Sequence, residues 1–191
     1  MTAGARAHLD EHRAVLDGMQ PLLALVDDLA KTVTAAFESG GRLYSFGNGG
    51  SAADAQHLAG ELIGRYLRER RSLPAVSLSV DPSVMTCIAN DYGYDDVFRR
   101  QVEALARPGD IVVGFTTSGR SESVVRGLAA GRRCGATTVL FGGGDGGPAA
   151  EQADVALIVP SSTTARVQEM HVLLLHALSD AIDVWATDGR G

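Results

Sequence analysis

The chain contains one lysine, Lys31; arginine supplies every other basic residue. Its two cysteines, Cys87 and Cys134, are far apart and form no CxxC pattern. That excludes a disulfide framework and leads us to expect two thiols in a reducing cytoplasm. No apolar run reaches the roughly 18 residues a membrane span requires. The N-terminal stretch "MTAGARAHLDEHRAVL" is charged and has no apolar core of the kind a secretory leader carries. Positive charge is not in excess: the net charge is −6, which argues against a general nucleic-acid groove. No GxxxxGK[ST] and no GxGxxG are present, so neither a Walker loop nor a Rossmann fingerprint is expected. Repeats, low-complexity tracts and linkers are also missing. At 191 residues the chain is expected to form one domain, 1–191, without membrane or nucleic-acid partners.

What is present is ordinary for a globular α/β protein, with 45% hydrophobic and 21% charged residues. Residues 1–40 read as helix. Leu16, Met19, Leu22, Leu23, Val26, Leu29 and Val33 recur at three- and four-residue steps. Pro21 marks a first turn or a break between two helices, and Gly40-Gly41 ends the segment. Residues 41–191 then alternate short apolar runs with helical stretches. The runs are Arg42–Phe46, Ala75–Val80, Asp110–Phe115, Thr137–Phe141 and Asp154–Pro160. Each is nearly continuous in hydrophobicity, as strands covered on both faces are. The pattern predicts a five-stranded parallel sheet flanked by helices, preceded by an N-terminal helical extension. "GGGDGG" (142–147) reads as a loop, and a last helix is expected from about Thr163 to Trp185.

Ligands of open α/β sheets sit at the carboxyl ends of strands, and two such ends draw attention. The first expected strand runs into Asn48-Gly49-Gly50-Ser51. That is a tight turn with Ser51 as helix N-cap, and its glycines also let bare backbone approach a ligand. The third runs into "TTSGRSES" (116–123). Ser118 or Ser121 would cap the next helix, yet Thr116, Thr117, Ser118 and Ser121 are more hydroxyls than one cap needs. Beside a helix N-terminus they make an anion site sized for a compact phosphate monoester.

The helix after the first turn carries His57 and Glu61 at i and i+4, on one face. A solvated surface pair is the plain interpretation. The alternative is that both face the ligand, with Glu61 about 15 Å along the helix, roughly the reach of an extended sugar phosphate. The last helix carries Gln168, His171 and His176. His176 stands in an apolar run, either as a satisfied core histidine or as an acid/base or metal-binding group in a partly dry cleft.

Taken together, the blocks "GNGGSAADAQHLAGELIGRY", "LPAVSLS", "IANDYGYDDVF", "ARPGDIVVGFTTSGRSESVV" and "ARVQEMHVLLLH" resemble the sugar isomerase (SIS) fold, and within it the bacterial phosphoheptose isomerases. The resemblance spans nearly the whole chain and implies a single SIS domain. It implies that Asn48, Gly49, Gly50, Ser51, Glu61, Asn90, Asp91, Thr116, Thr117, Ser118, Ser121 and Gln168 contact the sugar phosphate. Glu61 and His176 would be the catalytic pair. One zinc would be held by His57, Glu61, Gln168 and His176, in a homotetramer whose sites draw on more than one subunit. The implied reaction converts sedoheptulose 7-phosphate to a manno-heptose 7-phosphate through an enediol. Arg120 departs from the pattern, standing where a small polar residue, often Asn, follows "TSG".

Two further points follow from the resemblance. Gln168 and His176 lie about 12 Å apart along one straight helix, whereas metal–ligand bonds are about 2 Å. The helix is therefore interrupted, the ligands come from different copies, or one of them is not a ligand. The competing function is a non-catalytic SIS adaptor of the kind that associates with the replication initiator DnaA. Such a protein lacks the acid/base pair that Glu61 and His176 supply here. A sugar-phosphate sensor would normally carry a DNA-binding domain, and 191 residues leave no room for one.

Overall fold

A computed structural model of the protein describes residues 4–188. Residues 1–3 and 189–191, the two ends of the expected domain, lie outside the described residues. Helix α1 (Ala5–Asp17) and helix α2 (Gln20–Glu38) are separated at Gly18, with Pro21 in the first turn of α2. There its missing N–H costs nothing. The chain continues as β1 (Leu43–Gly47), α3 (Gly50–Ile63), β2 (Ala75–Ser77), α4 (Pro82–Asp91), a 3-10 turn (Tyr94–Asp96) and α5 (Val97–Leu105). It ends with β3 (Ile111–Phe115), α6 (Glu122–Arg133), β4 (Thr137–Gly143), α7 (Gly147–Ala150), β5 (Val155–Val159) and α8 (Thr164–Thr187).

The five strands lie in the order β2-β1-β3-β4-β5, and every pair is parallel. Alternation along the strands divides the core. Leu43, Ile111, Val113, Phe115, Val139, Phe141 and Leu157 face α2, α3 and α8. Tyr44, Phe46, Val112 and Leu140 face α4, α5, α6 and α7. The Phe46 ring stacks on Phe98 at 4.8 Å on one side, and Phe115 stacks on Phe141 at 4.5 Å on the other. The strand order reverses direction between β1 and β3, and such a reversal opens a crevice at the strands' carboxyl ends. The two turns singled out in the sequence leave from these same two strands.

Three elements differ from expectation. β2 stops at Ser77 instead of running to Val80: Leu78 N–H still reaches the Ser45 carbonyl at 2.8 Å, but Gly47 then bonds the Ser79 hydroxyl, its N–H donating at 3.3 Å and its carbonyl accepting at 3.1 Å, in place of a backbone ladder. β4 continues through Gly142 and Gly143, which pair with Ile158 and Val159, so only part of "GGGDGG" is loop. Gly147 opens α7. The N-terminal helices also divide in role. Met19, Leu22, Val26, Leu29 and Val33 bury α2 in the core, whereas α1 buries none of its residues. The His12 imidazole and the Glu169 carboxylate at 2.7 Å, together with Arg166 on the His8 carbonyl, hold α1 against α8. No helix among the described residues is long and apolar enough to cross a membrane.

Candidate active site

The turn after β1 begins the site. Gly49 adopts φ +58, a conformation glycine reaches without a Cβ penalty, and α3 starts at Gly50. Ser51 is therefore not the N-cap expected from sequence. It lies inside the first turn, buried, and Gly49 occupies the cap position. Asn48 ties this turn to the first turn of α6: its amide Nδ2 donates to Ser123 Oγ at 3.0 Å. Its Oδ1 accepts from the Tyr94 hydroxyl at 2.8 Å. Tyr94 was not singled out in the sequence, and nothing in its local pattern marks it.

The loop after β3 supplies the hydroxyls. Thr116 is buried, and its N–H donates to the Phe141 carbonyl at 3.0 Å. Ser121 occupies the N-cap position of α6 without making a side-chain cap bond. Among the described residues, no protein group takes up the hydroxyls of Thr116, Thr117 or Ser121, so they are free to serve a ligand at the positive end of α6. Gly119 sits at φ +67, and a Cβ there would lie 2.0 Å from the Gly146 carbonyl oxygen. Arg120 reaches across to Asp145 at 2.6 Å, so its charge is already matched by a carboxylate. With Thr117, Ser118, Ser162 and Thr164 this pair borders a cavity of about 320 Å³.

The second half of the site lies where α3 and α8 run side by side. His57 Nε2 is 3.0 Å from Glu61 Oε1, and His176 Nε2 is 3.2 Å from His57 Nε2. One ligand atom from each of the three falls within 4.8 Å of the others. Two ligands about 2.0–2.1 Å from one tetrahedral zinc lie about 3.3 Å apart. The observed spacings fit, and this group can hold a metal ion. Burial pulls the His176 imidazole below its ordinary value of 6.5, the neighbouring His57 adds to that, and Glu61 opposes it. The neutral ring keeps a lone pair for a metal or a proton. Tyr66 stacks on His176, with ring centroids 5.1 Å apart and planes 23° apart. Glu61 is only 19% exposed, and among the described residues its second oxygen, Oε2, faces no protein donor.

Gln168 does not join these three within one chain. α8 is uninterrupted, which removes the first of the three alternatives above. The Gln168 amide lies against Gly50 at the start of α3, where a Cβ would meet its Nε2 at 2.3 Å. Gly50 precedes His57 by about 10 Å of helix. Asn90 and Asp91, at the end of α4, are exposed and bonded to each other at 2.8 Å. His171 is the core histidine of the helix: fully buried, it contacts the Gly142 carbonyl at 3.1 Å.

This arrangement can bind an anion at one end of a crevice and move protons, with or without a metal, along the α3–α8 contact. The comparisons name the class. Residues 8–143 match the SIS domain family. The chain is 50% identical to the phosphoheptose isomerase of Aquifex aeolicus, with 82% of each chain covered. It is 46% identical to that of Trichlorobacter lovleyi, covering 95% of this chain and 96% of the relative. The solved structure of phosphoheptose isomerase GmhA from Neisseria gonorrhoeae superposes with a TM-score of 0.88 at 40% identity, over 94% of this chain and 96% of that one. The chain belongs to the SIS-domain family, in its phosphoheptose isomerase group.

Proposed function

We propose that the chain is an aldose–ketose isomerase that converts D-sedoheptulose 7-phosphate to D-glycero-D-manno-heptose 7-phosphate through an enediol. Its membership of a family of enzymes with that name supports this. The observation that carries the residue-level reading is the meeting of Glu61 and His176, with His57 between them, beside a crevice lined by unclaimed hydroxyls. The DnaA-associating adaptor reading is not favoured, because that kind of protein lacks the pair present here.

In this reading Thr116, Thr117, Ser118 and Ser121, with the Asn48–Ser51 turn, hold the phosphate far from the reacting carbons. Asn90, Asp91 and Gln168 contact the sugar. The remote grip supplies binding energy that orients C1 and C2. Glu61 takes the proton next to the carbonyl through Oε2, the oxygen turned away from His57. The Glu61 carboxyl then returns that proton to C2, while the neutral His176 ring donates to the developing enediol oxygens and relays their protons, a role open to an imidazole as well as an imidazolium. His57, Glu61 and His176 would hold one zinc, with Gln168 of a neighbouring copy as the fourth ligand. When bound, the metal polarises the sugar carbonyl.

The homotetramer expected from the resemblance is supported by surfaces that one chain leaves bare. α1 buries nothing, and Leu9, Leu16, Leu23 and Leu25 remain exposed on the N-terminal helices. Ile63, Val76 and Val80 remain exposed beside the short edge strand β2. Because α2 lies in the core, we read 1–191 as one domain. Two free thiols fit a cytoplasmic setting. The test is an isomerase assay on sedoheptulose 7-phosphate with zinc supplied, alongside metal analysis of protein purified without chelator. Conversion supports the proposal. A wild-type protein that binds zinc and turns nothing over returns the adaptor reading to first place.

A further inference from the structure

The last turn of a helix leaves carbonyl oxygens without intrahelical donors. In α3 that turn carries Glu61. Gly64 N–H covers the Gly60 carbonyl. The Leu62 carbonyl accepts from Leu73 N–H at 3.0 Å, and one side chain outside the site, Arg70, reaches several carbonyls of this turn and the loop after it. Its Nη2 donates to the carbonyl of Glu61 itself at 2.6 Å. Its Nη1 donates to the carbonyls of Leu62 at 2.9 Å, Gly64 at 3.2 Å and Arg71 at 2.8 Å. Nε donates to Asp183 Oδ1 at 2.7 Å. Both side chains are out of water, 1% and 0% exposed.

Asp183 lies on α8, seven residues and about two turns past His176. Its other oxygen, Oδ2, accepts the backbone N–H groups of Leu67 at 2.8 Å and Arg68 at 2.9 Å. Those two residues directly follow Tyr66, whose ring stacks on His176. One buried ion pair thus touches the helix end that carries Glu61, the loop that carries Tyr66 and the helix that carries His176. A buried pair of this kind is poor evidence of stability, since apolar side chains of the same volume often serve equally well. Apolar side chains would not supply N–H groups to four carbonyls in fixed directions, one of the Nη1 hydrogens being shared between two of them. A planar guanidinium does.

We propose that Arg70, anchored by Asp183, is a positioning residue for the isomerase reaction: it fixes the backbone of Glu61 and, through the Tyr66 loop, the ring of His176. The inference rests on the assignment of Glu61 and His176 above. It adds a residue whose role neither sequence motif nor local pattern announces.

Arg70→Lys keeps the charge and one bond to Asp183 but cannot reproduce the fork. The experiment compares kcat, KM, zinc affinity by chelator competition, far-UV circular dichroism and Tm for the zinc-loaded wild type and this variant. Arg99→Lys, which weakens the Asp96 pair on the opposite face of the sheet, is the control for general destabilisation. The expected result is a folded Arg70→Lys protein with kcat down about ten-fold or more and KM within about two-fold. Its zinc should be held about ten-fold more weakly, as when a group supporting a ligand is lost. Arg99→Lys should keep its kcat. A folded Arg70→Lys with kcat and zinc affinity close to wild type overturns the proposal, as does a loss of kcat that merely follows the folded fraction. Should Arg70→Lys fail to fold, Tyr66→Leu decides: it leaves all the arginine bonds intact and removes only the ring. A lower kcat at unchanged KM then supports the clamp, and an unchanged kcat overturns it. Should the wild type turn over no sugar, the isomerase reading fails separately, and the zinc affinity of Arg70→Lys alone decides.

Discussion

At the scale of the residue, Glu61 is asked to do two things with two oxygens. Oε1 faces His57 and the metal position, and among the described residues Oε2 has no protein donor, which leaves it for the substrate. Glu61→Gln preserves size and removes basicity. We expect kcat to fall about 10²- to 10⁴-fold, the usual worth of a positioned base, with substrate still bound; steady-state kinetics and a binding isotherm check both halves. The hydroxyls give the converse prediction. Replacing Ser118 and Ser121 together by Ala removes hydrogen bonds to a charged phosphate, each worth about 1.5–3 kcal/mol. KM should rise by about ten-fold or more while the pair at Glu61 and His176 stays in place, and an unchanged KM would remove those hydroxyls from the phosphate site. Arg120 carries no such expectation, because Asp145 already occupies its guanidinium.

At the scale of the element, the loop from β3 to α6 is shaped by its glycine. Gly119→Ala forces a Cβ into the Gly146 carbonyl and a side-chain residue into positive φ. It should cost about 1–3 kcal/mol, read as a lower midpoint in denaturant. The strands were legible because a sheet covered on both faces writes unbroken apolar runs, and β1, β3 and β5 fall within a residue or two of their expected bounds. β2 was overread because the Ser79 hydroxyl takes the place of its backbone opposite Gly47, and that is a tertiary fact. Ser51 was misread as a cap because Gly49, with positive φ, lets α3 begin two residues early. His57 and Glu61 were legible from their i, i+4 spacing. Tyr94, Tyr66 and Arg70 were not: each acts across loops, on Asn48, His176 and Glu61, where no local period exists.

At the scale of the molecule, two properties follow from how the elements join. Asp183 is drawn up by burial and drawn down more strongly by the N–H groups of Arg68 and Leu67 and by Arg70, with the net result below its ordinary 3.8. A carboxylate held lower in the folded than in the unfolded chain stabilises the fold above the unfolded value and loses that contribution as pH falls through the folded one. The Asp183 contribution should therefore be constant from neutrality to about pH 4 and decline below it. Asp183→Asn should flatten that acid limb in a series of denaturant titrations. The bare faces of α1 and β2 predict a tetramer in sedimentation equilibrium at neutral pH, and a monomer would leave Gln168 without a partner copy. The central claim, that Glu61 and His176 act on one pair of sugar carbons, is tested most directly by proton exchange. Sedoheptulose 7-phosphate incubated with the protein in deuterium oxide should acquire deuterium at C1 with the wild type. It should acquire none above background with Glu61→Gln that still binds the sugar. Exchange by Glu61→Gln at the wild-type rate would contradict the account.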